Sequence, residues 1–263
     1  MTVNSFSTRE QEYLLGVKID TLSVDELLQK IDETIATDRK MTISYANIHS
    51  INLAQQQAWF RDFLNHSEIT FCDGFGVKWA ARLLGISLPY RYTVPDWFDR
   101  LAALCADRGY SLFFLGARPG IAQKSAELVL ERFPLLEDIP AMHGYFDNSP
   151  GSAENEAVLQ AINRFKPDIL VLGLGMPLQE RWVSENLSML DVKTVLLAGA
   201  LFDHYSKSVP RAPRWMTDHG MEWLGRLLAE PRRLWRRYLL GIPRFLWYIL
   251  KQRIQQFISP AGD

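Results

Sequence analysis

The sequence of 263 residues has only two cysteines, Cys72 and Cys105, which are too few for a disulfide framework. Neither cysteine has a second metal-binding side chain at zinc-site spacing, and the five histidines are scattered. No run of about 18 uncharged apolar residues occurs, which excludes an ordinary membrane-spanning helix. Residues 1–10 are polar and lack the pattern of a secretory signal, so we expect a reducing, cytoplasmic setting.

The formal net charge of −1 hides an uneven distribution along the chain. Residues 211–253 contain ten Arg or Lys and three acidic residues, so this segment carries about +7 and the remainder about −8. The arginines of this segment alternate with tryptophans on stretches of helical spacing that are interrupted at Pro231 and Pro243. This pattern favours a membrane interface, with nucleic-acid backbone binding and a basic helical cap packed on the core as alternatives.

The preceding 210 residues alternate short apolar runs with segments of helical periodicity. The first helix, 24–37, begins with a capping box of Ser23 and Glu26. The alternation predicts an α/β fold with a Rossmann-like, doubly wound, mostly parallel sheet and a C-terminal helical appendage that is basic and aromatic. The two domains would be a core, 1–210, and an appendage, 211–263. About six strands are predicted, each followed by a helix: 41–45, 69–71, 111–115, 139–142, 168–172 and 194–197.

Asp73 follows the predicted strand 69–71 and precedes a predicted helix, 75–84. Ligands bind at the carboxyl ends of the strands in open α/β sheets, and Gly74 and Gly76 let the backbone turn there without a Cβ in the way. We interpret Asp73 as a catalytic base. The alternative is that its carboxylate only caps the helix.

Other strand ends carry polar or glycine residues in the same position. Asn47 follows strand 41–45, where it would cap the next helix or hydrogen-bond a substrate. Arg91 precedes a helix and would be either a solvated surface residue or a ligand of a phosphate or sugar. The turn after strand 168–172 would need glycine at position 178 for a dinucleotide fingerprint, but the residue is Leu178, which argues against an NAD-dependent oxidoreductase.

Taken in order, these short motifs resemble the TagA/WecG/CpsF family of bacterial glycosyltransferases (GT26). The resemblance extends from about residue 13 to 250, and its specificity lies in the number and order of the motifs. They are Ala46-Asn47, Asp73-Gly74-Phe75-Gly76, Arg91-Tyr92-Thr93, Phe114-Leu115-Gly116 with Pro119-Gly120, His143-Gly144-Tyr145-Phe146, Gly173-Leu174-Gly175-Met176-Pro177 with Gln179-Glu180, Phe202-Asp203 with Ser206, Arg211-Ala212-Pro213, and Glu222-Trp223-Leu224 with Arg226-Leu227.

The resemblance implies an inverting, metal-independent hexosyltransferase that moves a sugar from a UDP-sugar to a polyprenyl-diphosphate-linked sugar in exopolysaccharide or other cell-surface polysaccharide synthesis. Such an enzyme would be peripheral, on the cytoplasmic face of the inner membrane. The resemblance makes Asp73 the base and has the C-terminal appendage complete the site. With the strand-end positions, the candidate substrate-binding residues are Tyr45, Asn47, Arg91, Thr93, Gly116, Gly144, Tyr145, Gly173, Gly175, Gln179, Glu180, Asp203, Arg211 and Arg214.

The chain departs from the family pattern at three positions. The family often has Thr at Tyr45, Gly near Val94 and Gly at Lys207. Because the first two fall at expected sugar-contacting turns, we favour UDP-glucose as donor, as in the xanthan-type β-1,4-glucosyltransferase of this family. UDP-ManNAc or its uronic acid, used by the teichoic-acid and enterobacterial common antigen members, is the alternative.

Inverting transfer needs a base for the acceptor hydroxyl and positive charge for the departing diphosphate. No Asp-x-Asp pair occurs in the sequence, so we expect no metal and no other cofactor. The helix N-termini after Gly116 and Gly175, with Arg211 and Arg214, would stabilise the diphosphate. The expected partners are the two substrates and an anionic membrane, without nucleic acid, and a homo-oligomer is left open. A nucleotide-binding membrane adaptor without catalysis is the alternative of another class.

Overall fold

The computed structural model describes residues 11–209 and 213–258, with the backbone alone for Arg214, Asp218 and Phe257. This part of the chain forms one sheet of eight strands covered by helices, which confirms the predicted α/β class. The strands are β1 (Gln11–Leu14), β2 (Val17–Asp20), β3 (Met41–Ala46), β4 (Ile69–Cys72), β5 (Leu112–Gly116), β6 (Ala141–Met142), β7 (Ile169–Gly173) and β8 (Thr194–Leu197).

The helices connect successive strands and then continue as a C-terminal group. As predicted, Ser23 and Glu26 form the capping box that starts the first helix. In chain order they are α1 (Val24–Ala36), α2 (Ile48–Gln56), α3 (Ala58–His66), α4 (Phe75–Leu83), α5 (Val94–Arg108), α6 (Ile121–Arg132), α7 (Ala153–Phe165), α8 (Leu178–Asn186), α9 (Leu201–Tyr205), α10 (Arg214–Asp218), α11 (Glu222–Ala229), α12 (Pro231–Trp235) and α13 (Gly241–Ile258), with a 3-10 helix at Leu187–Met189 and a π-helical turn at Arg236–Leu240.

The strand order is β1-β2-β4-β3-β8-β7-β5-β6, and every neighbouring pair is parallel except β1 with β2. The registers Ala46 with Cys72 and Gly116 with Gly173 align the strand ends, so the turns that follow meet at one carboxyl edge. β5 and β7 are buried throughout because helices cover both faces of the sheet.

The predicted strand number of about six is corrected to eight in the described part of the chain. The two missed strands form the edge hairpin β1–β2, whose turn places Leu15 and Gly16 at positive φ. Lys18 and Asp20 interrupt the apolar pattern of β2 because the two side chains are buried as an ion pair. The rule that every strand leads to a helix therefore fails at β1.

The C-terminal helices are interrupted less than expected from Pro231 and Pro243. Pro231 occupies the first turn of α12, where a missing N–H is tolerated, and Pro243 lies in the first turn of α13 after the π-helical turn. The backbone therefore stays helical from residue 231 to 258. Phe245 and Ile249 of α13 are buried in the apolar cluster that includes residues of α2 and α4, so the appendage packs on the core.

Across the two described ranges, none of the helices has both the length and the apolar character needed to cross a membrane.

Candidate active site

A cavity of about 1050 Å³ lies between the carboxyl edge of the sheet and the C-terminal helices. Its volume is in the range of small-molecule binding sites, at the edge where ligands of such sheets bind. Of the residues singled out from the sequence, ten line this cavity: Tyr45, Asn47, Asp73, Arg91, Thr93, Gly144, Tyr145, Gly173, Gly175 and Asp203.

Five of the other candidates are placed differently. Gly116, Gln179 and Glu180 are not among the residues that line the cavity, and their contact with substrate stays a prediction. Gly116 packs against Gly173, where an added Cβ would lie 2.4 Å from the Gly173 carbonyl carbon. Arg211 lies outside the described residues, and so does the side chain of Arg214.

Asp73 lies at the end of β4 with its carboxyl group in the cavity. It does not cap α4, because Gly74 at φ +123° is the N-cap residue and the cap has no side-chain hydrogen bond. The Asp73 N–H donates to the carbonyl of Ala46 at 2.8 Å, and Asn47 Nδ2 donates to Asp73 Oδ2 at 3.2 Å. Asp73 is therefore held by the turn after the neighbouring strand β3.

Asn47 has one of the two roles that the sequence left open, the cap of α2, and its amide also contacts Asp73, while its hydrogen bond to a substrate stays a prediction. Its Oδ1 accepts from the backbone N–H groups of His49 at 2.9 Å and Ser50 at 3.0 Å, which caps α2. The opposite end of the same amide, Nδ2, then points at Asp73. The cap fixes the amide and thereby fixes the carboxylate.

The position of Asp73 prepares it to accept a proton. Burial raises the pKa of its carboxyl group to about 6, against a lowering effect of the Asn47 hydrogen bond. The charge of Glu222 also raises this pKa, whereas Arg237 and Arg226 lower it. A carboxylate with a pKa close to neutral pH is suited to general base catalysis.

A buried polar layer lies behind Tyr45. Gln179 Nε2 donates to the Tyr45 hydroxyl at 3.2 Å and to Glu180 Oε1 at 3.0 Å, and both Gln179 and Glu180 are fully buried. Burial raises the pKa of Glu180 to about 7 and also raises the pKa of Tyr45. Gly199 makes room for this arrangement, because a Cβ at that position would lie 2.6 Å from the Tyr45 hydroxyl. Gln179 and Glu180 thus support the cavity through Tyr45.

The C-terminal helices contribute the opposite wall of the cavity, which we call the arginine wall. Its charged residues recur at intervals of three or four along α11, the residue between α11 and α12, α12 and the π-helical turn, and all of them line the cavity. Arg233 pairs with Glu230 at 2.5 Å within this wall. The residues of the arginine wall are Glu222, Arg226, Glu230, Arg233 and Arg237.

Two side chains of the arginine wall have unused donors. The Nε atoms of Arg226 and Arg237 are buried and have no hydrogen-bond partner within the described ranges. The cavity as a whole is lined by seven arginines and four Asp or Glu residues, an excess of three positive charges. Buried donors that lack a partner in a positive cavity suit an anionic ligand such as a diphosphate.

The sequence pattern of residues 211–253 favoured a membrane interface and did not indicate that Arg226 and Arg237 line the cavity. The spacing of the arginine wall is the signal that points to them. Buried Leu234 lies three residues before Arg237, which also indicates that Arg237 faces inward.

A second carboxyl group lies among arginines at the cavity. Burial raises the pKa of Asp203, while Arg233, Arg226 and Arg118 oppose this shift. Among the described residues, no group of three His, Cys, Asp or Glu side chains is placed to hold a metal ion. The cavity therefore brings together buried carboxyl groups and arginine side chains.

Comparison with known proteins agrees with this geometry. The family model described as "Glycosyl transferase WecG/TagA/CpsF family" matches residues 12–258. The N-acetylglucosaminyldiphosphoundecaprenol N-acetyl-beta-D-mannosaminyltransferases of Staphylococcus aureus strains MRSA252 and NCTC 8325 are each 26% identical over 255 residues, which cover 96% of this chain and 97% of each relative. The predicted family and glycosyltransferase activity are thus confirmed. The chain belongs to the WecG/TagA/CpsF family of glycosyltransferases.

Proposed function

We propose that this enzyme transfers an N-acetylmannosaminyl residue from UDP-ManNAc to a polyprenyl-diphosphate-linked N-acetylglucosamine, with inversion at the anomeric carbon and without a metal ion. The observation that carries the proposal is the arrangement of the cavity: Asp73 with a raised pKa faces Arg226 and Arg237, whose Nε donors are unpartnered among the described residues. Such a pair of walls supplies the base and the diphosphate ligand of an inverting transfer.

In the proposed reaction Asp73 takes the proton of the acceptor hydroxyl as its oxygen attacks C1 of the donor sugar. The bond between C1 and the diphosphate oxygen breaks, and UDP leaves with the electron pair. Arg226 and Arg237 stabilise the negative charge that collects on the diphosphate. Arg211 and Arg214, predicted for the same role, remain predictions.

The names of the relatives indicate a different donor sugar from the one that the sequence pattern favoured. We favoured UDP-glucose because of Tyr45 and Val94, whereas the relatives carry N-acetylmannosaminyl transfer in their names. The relatives span nearly the full chain, so we propose ManNAc as the transferred sugar. Tyr45, one of these two departures from the family pattern, lines the cavity, so glucose stays the competing donor.

The proposed acceptor is a membrane lipid, and α13 has a surface suited to contact with a membrane. While Phe245 and Ile249 face the core, the opposite side of α13 exposes Leu246, Trp247, Leu250 and Ile254. Exposed Arg244, Lys251 and Arg253 accompany this apolar stripe. We propose that α13 lies on the anionic, cytoplasmic face of the inner membrane, as Trp and basic side chains do at such interfaces.

The test is a donor panel with one acceptor. Purified enzyme is incubated with UDP-ManNAc, UDP-ManNAcA, UDP-glucose or UDP-GlcNAc and a prenyl-diphosphate-linked GlcNAc, and product and free UDP are measured. Fastest transfer from UDP-ManNAc, with a β-linked product, is expected. Faster transfer from UDP-glucose would restore the donor favoured from the sequence, and no transfer from any donor would contradict the proposed function.

A further inference from the structure

An apolar stripe of α4 leads out of the cavity over the protein surface. Phe75, in the first turn of α4, lines the cavity, and Trp79 and Leu83 follow at intervals of four residues. Residues at this spacing share one face of a helix, and eight residues span about 12 Å. Trp79 and Leu83 are 60% and 62% exposed, respectively. We call these three residues the apolar track.

The packing of α4 does not account for the track. The helix buries a different face, with Val77, Ala80 and Ala81 in the same apolar cluster as Phe245 and Ile249 of α13. Trp79 and Leu83 lie outside that cluster and face solvent. Large apolar side chains grouped on a surface next to a site mark an interaction surface, because their contact with water is unfavourable.

The first residue of the apolar track, Phe75, lies next to Arg91 of the cavity lining. The Arg91 guanidinium lies 4.2 Å from the centre of the Phe75 ring, so the first residue of the track touches a cavity cation. Gly220, before α11, also lies against Phe75, where an added Cβ would come within 2.9 Å of the Phe75 Cβ. A ligand leaving the cavity here passes directly from arginine to an apolar surface.

We propose that the apolar track binds the first isoprene units of the acceptor's polyprenyl chain. The inference rests on the proposed function, which places the acceptor diphosphate in the cavity. A lipid diphosphate is an anion joined to an apolar chain, and the protein presents the complementary surfaces in the same order. Once the diphosphate is bound, the chain is held near the track, so a modest apolar contact suffices.

The lipid bilayer could occupy the apolar track instead of the acceptor chain. The transfer assay therefore uses water-soluble acceptors and contains no bilayer. The acceptors are two water-soluble forms of GlcNAc diphosphate, one with a farnesyl chain and one with a methyl ester in place of the chain. The variant carries Trp79→Gln and Leu83→Gln. The matched control carries Leu135→Gln and Met189→Gln, two exposed apolar residues that precede β6 and β8 and so lie at the opposite edge of the sheet.

We expect the track variant to raise KM for the farnesyl acceptor about tenfold. Three properties of the track variant should stay within about twofold of wild type: its KM for the methyl acceptor, its kcat and its affinity for anionic vesicles. The control variant should match wild type within about twofold in these properties and in its KM for the farnesyl acceptor. An unchanged KM for the farnesyl acceptor would overturn the proposal. Loss of vesicle affinity with the preference for farnesyl intact would assign the track to the bilayer and also overturn it.

A binding measurement separates this inference from the proposed function. Farnesyl diphosphate and methyl diphosphate are titrated into wild type and the track variant by calorimetry, without a sugar donor. Tighter binding of farnesyl diphosphate by wild type, lost in the variant, would support the track even if no sugar were transferred. Equal binding of both compounds by wild type would contradict it even if transfer were observed. Thermal unfolding of the variants confirms that they are folded.

Discussion

The two walls of the cavity are built in different ways. The sheet wall, with Asp73, Asn47 and Tyr45, rests on strands whose side chains are buried on both faces. The arginine wall belongs to helices with few buried residues, and Leu234 is the buried member of α12. Burial raises the pKa of Asp73 on the first wall, while the second keeps arginine donors free for a ligand. In the proposed reaction the more buried wall supplies the base, and the less buried wall supplies the ligands of the diphosphate.

The sheet wall should account for the largest single effect. Asp73→Asn removes the base but keeps an acceptor for the Asn47 amide, so the fold should persist. We expect turnover to fall about 10²–10⁴-fold, the usual contribution of a general base. Steady-state transfer assays measure this loss. Activity within threefold of wild type would exclude Asp73 from proton transfer.

The arginine wall should give a smaller loss with a distinctive pH dependence. Arg237→Ala removes a diphosphate ligand, and we expect kcat/KM to fall about 10–100-fold. Arg237 also lowers the pKa of Asp73, so its removal should raise that pKa and move the acidic limb of the pH–rate profile to higher pH.

Arg232→Ala is the matched control, because Arg232 is exposed and does not line the cavity but carries the same charge. Its kcat/KM and pH profile should match wild type. If both arginine variants lose the same activity without a shift of the acidic limb, Arg237 contributes only to the general field of the tail.

A third change separates membrane attachment from catalysis within the C-terminal helices. Deleting residues 232–263 cannot do this, because it removes Arg237 and the buried Phe245 together with the exposed stripe. Trp247→Ser with Leu250→Ser changes the exposed side of α13 alone. We expect affinity for anionic vesicles to fall about tenfold, with turnover of a water-soluble acceptor retained.

Vesicle sedimentation at increasing salt measures this affinity, and Leu135→Ser serves as an exposed apolar control at the opposite edge of the sheet. Binding by the wild type should weaken as salt rises. Unchanged sedimentation of the α13 variant would show that the membrane contact lies elsewhere.

The raised pKa of Asp73 also predicts a change in stability. The folded state holds this proton more tightly than the unfolded state, so ionisation of Asp73 lowers the stability of the wild type as pH rises from about 4 to 6. Asp73→Asn avoids this cost. At pH 8 we expect the variant to be more stable by about 3 kcal/mol, and at pH 4 most of the difference should be gone. Urea unfolding at both pH values tests the sign, and a less stable variant at pH 8 would contradict it.

The smallest expected effect is that of a chelator. If the arginine wall binds the departing diphosphate, turnover should remain within twofold of its original value in EDTA. The transfer assay with and without EDTA measures it. Loss of turnover that Mg²⁺ or Mn²⁺ restores would show that a metal supplements the arginines.

Sequence patterns located the sheet wall because its determinants are local. Asp73 and Asn47 each follow an apolar run and precede a helix, and in a parallel sheet such positions converge at one edge. The same reasoning placed Gln179 and Glu180 in the substrate pocket. In the structure Gln179 hydrogen-bonds to the Tyr45 hydroxyl and to Glu180, contacts between distant turns that local sequence patterns do not reveal.

Local sequence patterns did not predict the edge hairpin or the arginine wall. β1 and β2 are four residues each, and β2 buries Lys18 and Asp20 as a pair that forms only when the hairpin joins the sheet. The spacing of the arginine wall marks one face of a helix, but spacing cannot say which face meets the core. That choice depends on Leu234 and Phe245, which are buried in the folded chain.

Local order in the chain was thus sufficient for the α/β class, the family and the position of Asp73 at a strand end, since periodicity and turn chemistry act over a few residues. Tertiary packing alone decided that Arg226 and Arg237 face Asp73, that Gln179 supports Tyr45, and that Trp79 and Leu83 remain in water. These outcomes join residues far apart in the chain, and their energies come from burial and charge pairs that exist only after the sheet and the C-terminal helices have come together.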